Sequence, residues 1–172
     1  MAGLIYERSA PTIMNKLKKV TGIWQGTYSF DAVEQFPKLV PVTFTLTLKQ
    51  GWFWRFTGTV TDGHGGMPET GIVEGYFSYP SIEFTKRMPV CYMATPDGRN
   101  VPLRQHLKEQ GYTCEREVPH MPIFYKGEFS DARHARGTWI IHAGPLSLLD
   151  GRSVRMHGAT GEWSIETTEQ PV

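Results

Sequence analysis

The residue best placed for chemistry is Lys86, a lysine inside an otherwise apolar strand pattern. A two-residue loop at Pro80-Ser81 would pair Tyr79 with Ile82 and Phe77 with Phe84, since strand residues alternate between two faces. Lys86 then lies on the inner, apolar face. An ammonium in that position could meet a ligand carboxylate or an enolate. The structural alternative is a lysine at the rim whose head reaches water.

Aromatic side chains are predicted to share the interior with this lysine. Tyr28, Tyr79 and Tyr125 fall on the inner face of their segments. Their hydroxyl groups could orient a ligand in an apolar pocket, or could simply meet backbone carbonyls within a core. Trp54 belongs to an aromatic stripe that could form a flat wall against a ligand. The predicted ligand-binding set is therefore Tyr28, Trp54, Tyr79, Lys86 and Tyr125.

The remaining reactive side chains indicate neither a metal centre nor a catalytic nucleophile. Residues 134 and 142 are both histidines, but eight residues of strand would hold them about 26 Å apart. Cys91 and Cys114 flank a predicted helix, either as a redox staple or as two inert thiols. We predict no metal and no cofactor, and no catalytic residue is assigned. The histidines are His64, His106, His120, His134, His142 and His157.

Short alternating segments bounded by turn residues make up most of the chain, which is typical of an all-β fold. One segment, 101–111, instead predicts a short helix, with a proline near its start and Gly111 at its end. It lies in a long connection that could cover one barrel end as a lid. Strands are predicted at 22–31, 41–49, 52–61, 70–79, 81–88, 121–130, 136–143 and 153–166.

The turn between the second and third segments predicts a register. A three-residue loop at Lys49-Gln50-Gly51 would place all six apolar residues of the two strands on one face. The threonines and Arg55 would lie on the other face. The six residues predicted to point inward are Phe44, Leu46, Leu48, Trp52, Trp54 and Phe56.

Gly22-Ile23-Trp24 opens the first segment, and an up-and-down strand series follows. The chain in this respect resembles the calycin superfamily, which includes lipocalins, fatty-acid-binding proteins and avidins. The resemblance implies an antiparallel up-and-down barrel of about eight strands that holds a small, mostly apolar molecule. It also implies that Trp24 closes the barrel base beneath a late arginine, for which Arg152 and Arg155 are both candidates.

Length and composition agree with one domain of this kind. The 172 residues suffice for a single barrel at 21–166, with an N-terminal extension at 1–20 and a tail at 167–172. A net charge of +1 argues against nucleic-acid binding. No apolar run is long enough for a membrane helix, and no secretory signal is recognisable. We therefore predict a cytoplasmic protein with no nucleic-acid or membrane partner; homo-oligomerisation stays open.

Three functions are compatible with these observations. The first is a cytoplasmic barrel that binds a small apolar or aromatic molecule in its interior. The second is a barrel enzyme of the cyclase or isomerase type, in which Lys86 and the inner tyrosines move protons. The third is an interaction module with a filled barrel. Converging ionisable groups would favour the enzyme, and a packed interior with an exposed apolar patch would favour the module.

Overall fold

The computed structural model describes residues 19–31, 40–94, 100–112, 115–147 and 151–167. Eight strands form a closed antiparallel barrel, and the other strands form two small hairpins outside it. The elements are β1 Gly22–Phe30, β2 Val42–Gln50, β3 Arg55–Asp62, β4 Gly71–Ser78, β5 Ser81–Arg87, β6 Tyr92–Ala94, β7 Asn100–Pro102, α1 Leu103–Glu109, β8 Ile123–Phe129, β9 His134–Ile141, β10 Gly144–Ser147, β11 Ser153–Met156 and β12 Ala159–Glu166.

The barrel closes between its first and last strands, as predicted. Around the barrel the order is β1, β12, β9, β8, β5, β4, β3 and β2, and β1 pairs antiparallel with both β12 and β2. The predicted final strand at 153–166 is two strands, β11 and β12, and only β12 joins the barrel. The fold class is therefore confirmed: all-β, with an eight-stranded antiparallel barrel and one short helix among the described residues.

The two barrel ends differ. Trp24 lies at one of them, where its indole N–H donates to the carbonyl oxygen of Val20 at 2.9 Å and its ring meets Phe129 edge-on at 5.5 Å. We call this the Trp24 end. Of the two arginines expected over Trp24, Arg152 lies over the ring of Tyr112, outside the barrel, and Arg155 is exposed in the hairpin of β10 and β11, also outside it. The opposite end, where β3 and β5 finish, is the Lys86 end.

The register between β2 and β3 corrects the sequence prediction. Leu48 faces Gly58 and Leu46 faces Val60, so each β2 residue pairs with a β3 residue six positions farther along than a Lys49-Gln50-Gly51 loop would require. Because the displacement is an even number of residues in total, the inward faces are unchanged along both strands. Four of the six residues predicted to point inward are buried: Phe44, Leu46, Leu48 and Phe56.

Trp52 and Trp54 are the two residues for which the inward prediction is wrong. With Phe53 between them, they form the tip of the β2–β3 turn and are exposed to solvent. The backbone amide of Arg55 donates to the carbonyl of Trp52 at 3.2 Å. Phe53 and Trp54 have φ angles of 52° and 66°, as in a type I′ turn. This conformation costs about 1–2 kcal/mol for a residue with a side chain. Type I′ turns usually have Asn-Gly at these two positions, and this sequence has Phe-Trp instead.

The β4–β5 turn is also shifted, but without consequence for the faces. Phe77 pairs with Ile82 and Val73 pairs with Lys86, which makes Tyr79-Pro80 the two-residue loop in place of Pro80-Ser81. This shift is two residues in total, so each side chain keeps its predicted side. Lys86 consequently lies inside the barrel, as predicted.

The connection between β5 and β8 forms a structural unit of its own. Its helix, α1, begins at Leu103 and ends at Glu109, within the predicted 101–111 segment. Leu103 and Leu107 are buried with Cys91 and Val118 in a second apolar cluster, separate from the barrel core. Side chains of β11 pack against the same cluster. We call the residues from Met88 to Pro122 the insertion, and they leave and re-enter the barrel at the Lys86 end.

Several predictions concern segments only partly described. Most of the predicted extension at 1–20, the end of the predicted tail and Cys114 lie outside the described residues, so the redox staple remains a prediction. Within the described ranges, no helix combines the length and hydrophobicity needed to cross a bilayer.

Candidate functional site in the barrel interior

The central feature of the interior is an ion pair between Lys86 and Asp62. The Lys86 ammonium donates to both carboxylate oxygens of Asp62, at 2.5 and 2.7 Å. The Lys86 side chain is 2% exposed and the Asp62 side chain is fully buried. A buried ion pair of this kind loses the hydration of two charges, and only close geometry with further hydrogen bonds offsets that loss.

Asp62 receives those further hydrogen bonds from β1 and from the loop after β3. The Tyr28 hydroxyl donates to one carboxylate oxygen at 3.2 Å, and the backbone amide of Met67 donates to the same oxygen at 3.3 Å. The ammonium of Lys86 also lies 5.2 Å from the centre of the Tyr28 ring, within the range of a cation–π contact. Lys86, Asp62 and Tyr28 thus form one hydrogen-bonded group, which we call the interior triad.

Burial and charge set the protonation preferences around the triad. Burial lowers the pKa of Lys86, and the nearby Asp62 carboxylate opposes that change. Burial, reinforced by Asp62, raises the pKa of Tyr28 well above its usual value. The pKa of Tyr125 is raised by burial, with smaller contributions from Tyr28 and Asp62. Both tyrosines therefore keep their protons across the physiological range, and Tyr28 acts as a hydrogen-bond donor.

A histidine of the insertion borders the same group. The His120 backbone amide donates to the carbonyl of Met88 at 3.1 Å, which fixes this residue beside the end of β5. Its Nδ1 lies 2.6 Å from the carbonyl oxygen of Met121. Burial lowers the pKa of His120 and the charge of Lys86 adds to that effect, whereas the hydrogen bond to the Met121 carbonyl and the Asp62 carboxylate oppose it. The neutral imidazole is thus the favoured form next to the triad.

Apolar side chains of intermediate exposure surround the triad at the Lys86 end. Phe30, Ile141 and Ala159 lie where β1, β9 and β12 meet this end, and Met67 lies in the loop that contacts Asp62. The Tyr28 ring contacts Phe30 at 5.7 Å between centroids. The Lys86 end therefore combines an apolar rim with a buried polar group beneath it.

The five predicted ligand-binding residues do not all meet. Tyr28 and Lys86 belong to the interior triad, and Tyr125 lies beside it. Tyr79 lies in the β4–β5 turn at the Trp24 end, where its buried hydroxyl has no hydrogen-bond partner among the described residues. Trp54 is on the outer surface of that same end. The predicted set thus divides between the two ends of the barrel.

Asp62 is the residue that the sequence analysis missed. The predicted strand ends at residue 61, so Asp62 falls just outside it, at the start of the glycine-rich stretch 62–66. Strand β3 includes Asp62, and the alternation from Phe56 through Val60 carries it to the inner face opposite Phe44. Extending the alternation by one residue would have brought a carboxylate to the same side as Lys86.

Among the described residues, no three His, Cys, Asp or Glu side chains lie close enough together to hold a metal ion. Cys91 is a buried free thiol whose pKa burial raises to about 11. A thiol in this state is a poor nucleophile at neutral pH. The interior groups that could take part in a reaction are consequently a lysine, a carboxylate and phenols.

The barrel is compatible with a calycin-like fold. Comparison of the chain with protein-family models, with curated proteins and with solved structures found no match. Arguments about function therefore rest on the geometry of the interior and of the surface.

Proposed function

We propose that this protein is a calycin-type barrel of the cytoplasm that binds a small, neutral, apolar or aromatic molecule in its interior at the Lys86 end. The observation that carries the proposal is the interior triad, a charge-compensated polar group buried beneath an apolar rim. Replacing a buried ion pair by apolar residues is often neutral or stabilising. Fold stability is therefore a weak reason for Lys86 and Asp62, whereas recognition of a ligand is a sufficient one.

The charge balance of the triad indicates what kind of ligand fits. Asp62 already neutralises the Lys86 ammonium through two short hydrogen bonds. An anionic head group would have to compete with that carboxylate at close range. A neutral molecule with a single hydrogen-bonding group can instead share the donors and acceptors of the triad, while its apolar body lies against Phe30, Met67 and Ile141.

A matched pair of fluorescent probes tests this proposal. N-phenyl-1-naphthylamine is neutral, and 8-anilinonaphthalene-1-sulfonate has the same ring system with an added sulfonate. We expect the neutral probe to bind the full chain and the sulfonate to bind at least about tenfold more weakly, because one unpaired buried charge costs that much or more. Fluorescence titration measures both affinities. Tighter binding of the sulfonate would contradict a neutral ligand.

Two variants locate the probe. Lys86→Met combined with Asp62→Leu removes both charges at once and leaves neither unpaired. We expect this double variant to weaken binding of the neutral probe by about tenfold, as the loss of a hydrogen bond to a charged group would. Lys126→Met on the outer surface is the control. Unchanged binding in the double variant would place the probe elsewhere. Native mass spectrometry of the purified protein would then look for a retained natural ligand.

A second candidate function is proton-transfer catalysis at the interior triad. The convergence of Lys86, Asp62 and Tyr28 supports it, because an isomerase or cyclase needs a proton donor and a proton acceptor side by side. The retained natural ligand provides the test. Incubated with the protein in deuterated water, it should gain deuterium at carbon if the barrel is catalytic. The Lys86→Met/Asp62→Leu variant should abolish that exchange, and binding without exchange supports the binding barrel alone.

A further inference from the structure

The tip of the β2–β3 turn is the most exposed apolar feature among the described residues. Trp52 is 86% exposed, Phe53 85% and Trp54 60%. Aromatic side chains of this size normally contribute to a core, and three in succession leave a large apolar surface in water. The barrel interior does not need them, since Phe56, Leu48 and Trp24 fill the neighbouring positions.

The backbone at the tip adds a second, independent observation. Phe53 and Trp54 have positive φ angles of 52° and 66°, a conformation that residues with side chains rarely adopt. Three hydrogen bonds hold it: the amide of Gly51 donates to the carbonyl of Arg55 at 2.8 Å, the amide of Arg55 donates to the carbonyl of Trp52, and the amide of Phe77 donates to the carbonyl of Trp54 at 2.8 Å. Asn-Gly would form the same turn without strain. Strained conformations that persist in this way mark functional positions.

Basic residues flank the tip in the sequence. Lys49 and Arg55 flank the three aromatic residues, and both are exposed. Between Glu34 and Asp62 the sequence contains no acidic residue. Lys19 is exposed at the same end, where the following residue, Val20, donates its amide to the Gln50 side chain at 2.9 Å. Basic side chains thus lie next to the apolar apex, while the acidic Glu74 and Glu83 line the outer surface beside Arg55 on β4 and β5.

We infer that this turn docks the protein onto an anionic phospholipid bilayer. Tryptophan and phenylalanine partition into the interface between head groups and acyl chains, and basic residues beside them are attracted by acidic lipids. The apex is convex and strained, so it can enter a fluid interface that needs no matching pocket. We predict no membrane partner from the sequence because no apolar run is long enough to span a bilayer. Docking onto a bilayer surface needs no such run.

The turn chemistry provides a variant that removes the apex without harming the fold. Phe53→Asn with Trp54→Gly introduces the residues that a type I′ turn prefers, so this variant should fold at least as well as the wild type. Thermal unfolding confirms its integrity. Phe124→Ser, which removes an exposed aromatic side chain from the outer face of β8, is the matched control.

The experiment is sedimentation of the full chain with vesicles. We expect the wild type to bind vesicles of phosphatidylcholine with 30% phosphatidylserine and to bind pure phosphatidylcholine at least about tenfold more weakly, because two or three basic residues each contribute. The Phe53→Asn/Trp54→Gly variant should lose at least about tenfold in affinity for the acidic vesicles. Phe124→Ser should bind like the wild type.

Tryptophan fluorescence gives a direct readout of insertion. Trp24, Trp139 and Trp163 are buried, so quenching by brominated lipids reports on Trp52 and Trp54. Wild-type protein that does not sediment with acidic vesicles overturns the inference, as does a turn variant that binds normally. Concentration-dependent dimerisation abolished by the turn variant, measured by analytical ultracentrifugation without lipid binding, would also overturn it and assign the apex to a second copy of the chain.

Discussion

Lys86 on β5 and Asp62 on β3 meet inside the barrel across the start of β4, although 24 residues separate them in the sequence. Gly71 on β4, between the two strands, makes room for the neighbouring side chains of Met88 and Val60. A Cβ atom at Gly71 would lie 2.3 Å from the sulfur of Met88 and 2.9 Å from a methyl carbon of Val60. The pair of Lys86 and Asp62 thus spans three adjacent strands, β3, β4 and β5.

The first prediction concerns the stability of the buried pair. Lys86→Met leaves the Asp62 carboxylate buried without its cation, and we expect it to lower the free energy of unfolding by about 3–5 kcal/mol. Adding Asp62→Leu should restore most of that loss, since no unpaired charge remains. Urea unfolding measures both. Lys126→Met breaks the exposed pair with Glu83 and should cost at most about 1 kcal/mol. Equal stability of the single and double variants would show that the pair is not coupled.

The inward position of Lys86 was predictable from the sequence, whereas that of its partner Asp62 was not. Side-chain alternation depends only on parity, so it survived an error of two residues in the β4–β5 register and placed Lys86 inside. The length of β3 depends on where the chain turns, and Asp62 resembled the start of a glycine-rich loop. Its inward position follows from the pairing with Phe44, which connects residues far apart in the sequence.

The aromatic tip shows the opposite case, in which a sound rule gave a wrong result. Trp52 and Trp54 alternate correctly with Phe56, and large aromatic residues usually lie in cores. The barrel end is already closed by Trp24 and Phe129, which come from distant strands. Local alternation cannot detect that the interior is already occupied at the Trp24 end, and the structure places both tryptophans outside.

The second prediction concerns pH and His120. Burial beside Lys86 holds the pKa of His120 below 6.5, so the unfolded chain takes up a proton that the folded protein does not. The free energy of unfolding should consequently fall as the pH drops below about 6.5, by at most about 1.4 kcal/mol per pH unit. Urea midpoints between pH 7.5 and 5.5 measure this. His120→Gln should reduce the loss, whereas His64→Gln at an exposed position should not. An unchanged profile in His120→Gln would contradict the assignment.

The third prediction concerns the thiol of Cys91. Its pKa of about 11 and its burial in the second cluster leave little accessible thiolate at pH 8. Iodoacetamide should alkylate Cys91 at least about tenfold more slowly in the folded protein than in denaturant, as measured by mass spectrometry of the peptide that contains it. Because the unfolded thiol ionises first, this group also predicts declining stability above about pH 9. Rapid alkylation without denaturant would mean that the insertion opens readily.

The last prediction concerns the independence of the insertion from the barrel. Leu107 on α1 packs with Leu103, Cys91 and Val118 in a cluster that shares no buried residue with the barrel core. Leu107→Ala should cost about 2–5 kcal/mol, but the loss should be confined to this cluster. Hydrogen exchange should accelerate in α1 and at the Cys91 amide, which donates to the carbonyl of Val118, while the barrel strands keep their protection.

The same variant tests whether the insertion acts as a lid. If it covers the Lys86 end, Leu107→Ala should speed the release of N-phenyl-1-naphthylamine in stopped-flow displacement, with little change in the unfolding midpoint of the barrel. Lys108→Ala, at an exposed position of the same helix, is the control and should change neither quantity. If the unfolding midpoint of the barrel falls and β5 and β8 also lose hydrogen-exchange protection, the insertion is part of the core. The second cluster would then stabilise the barrel, and its leucines would not belong to a separable lid.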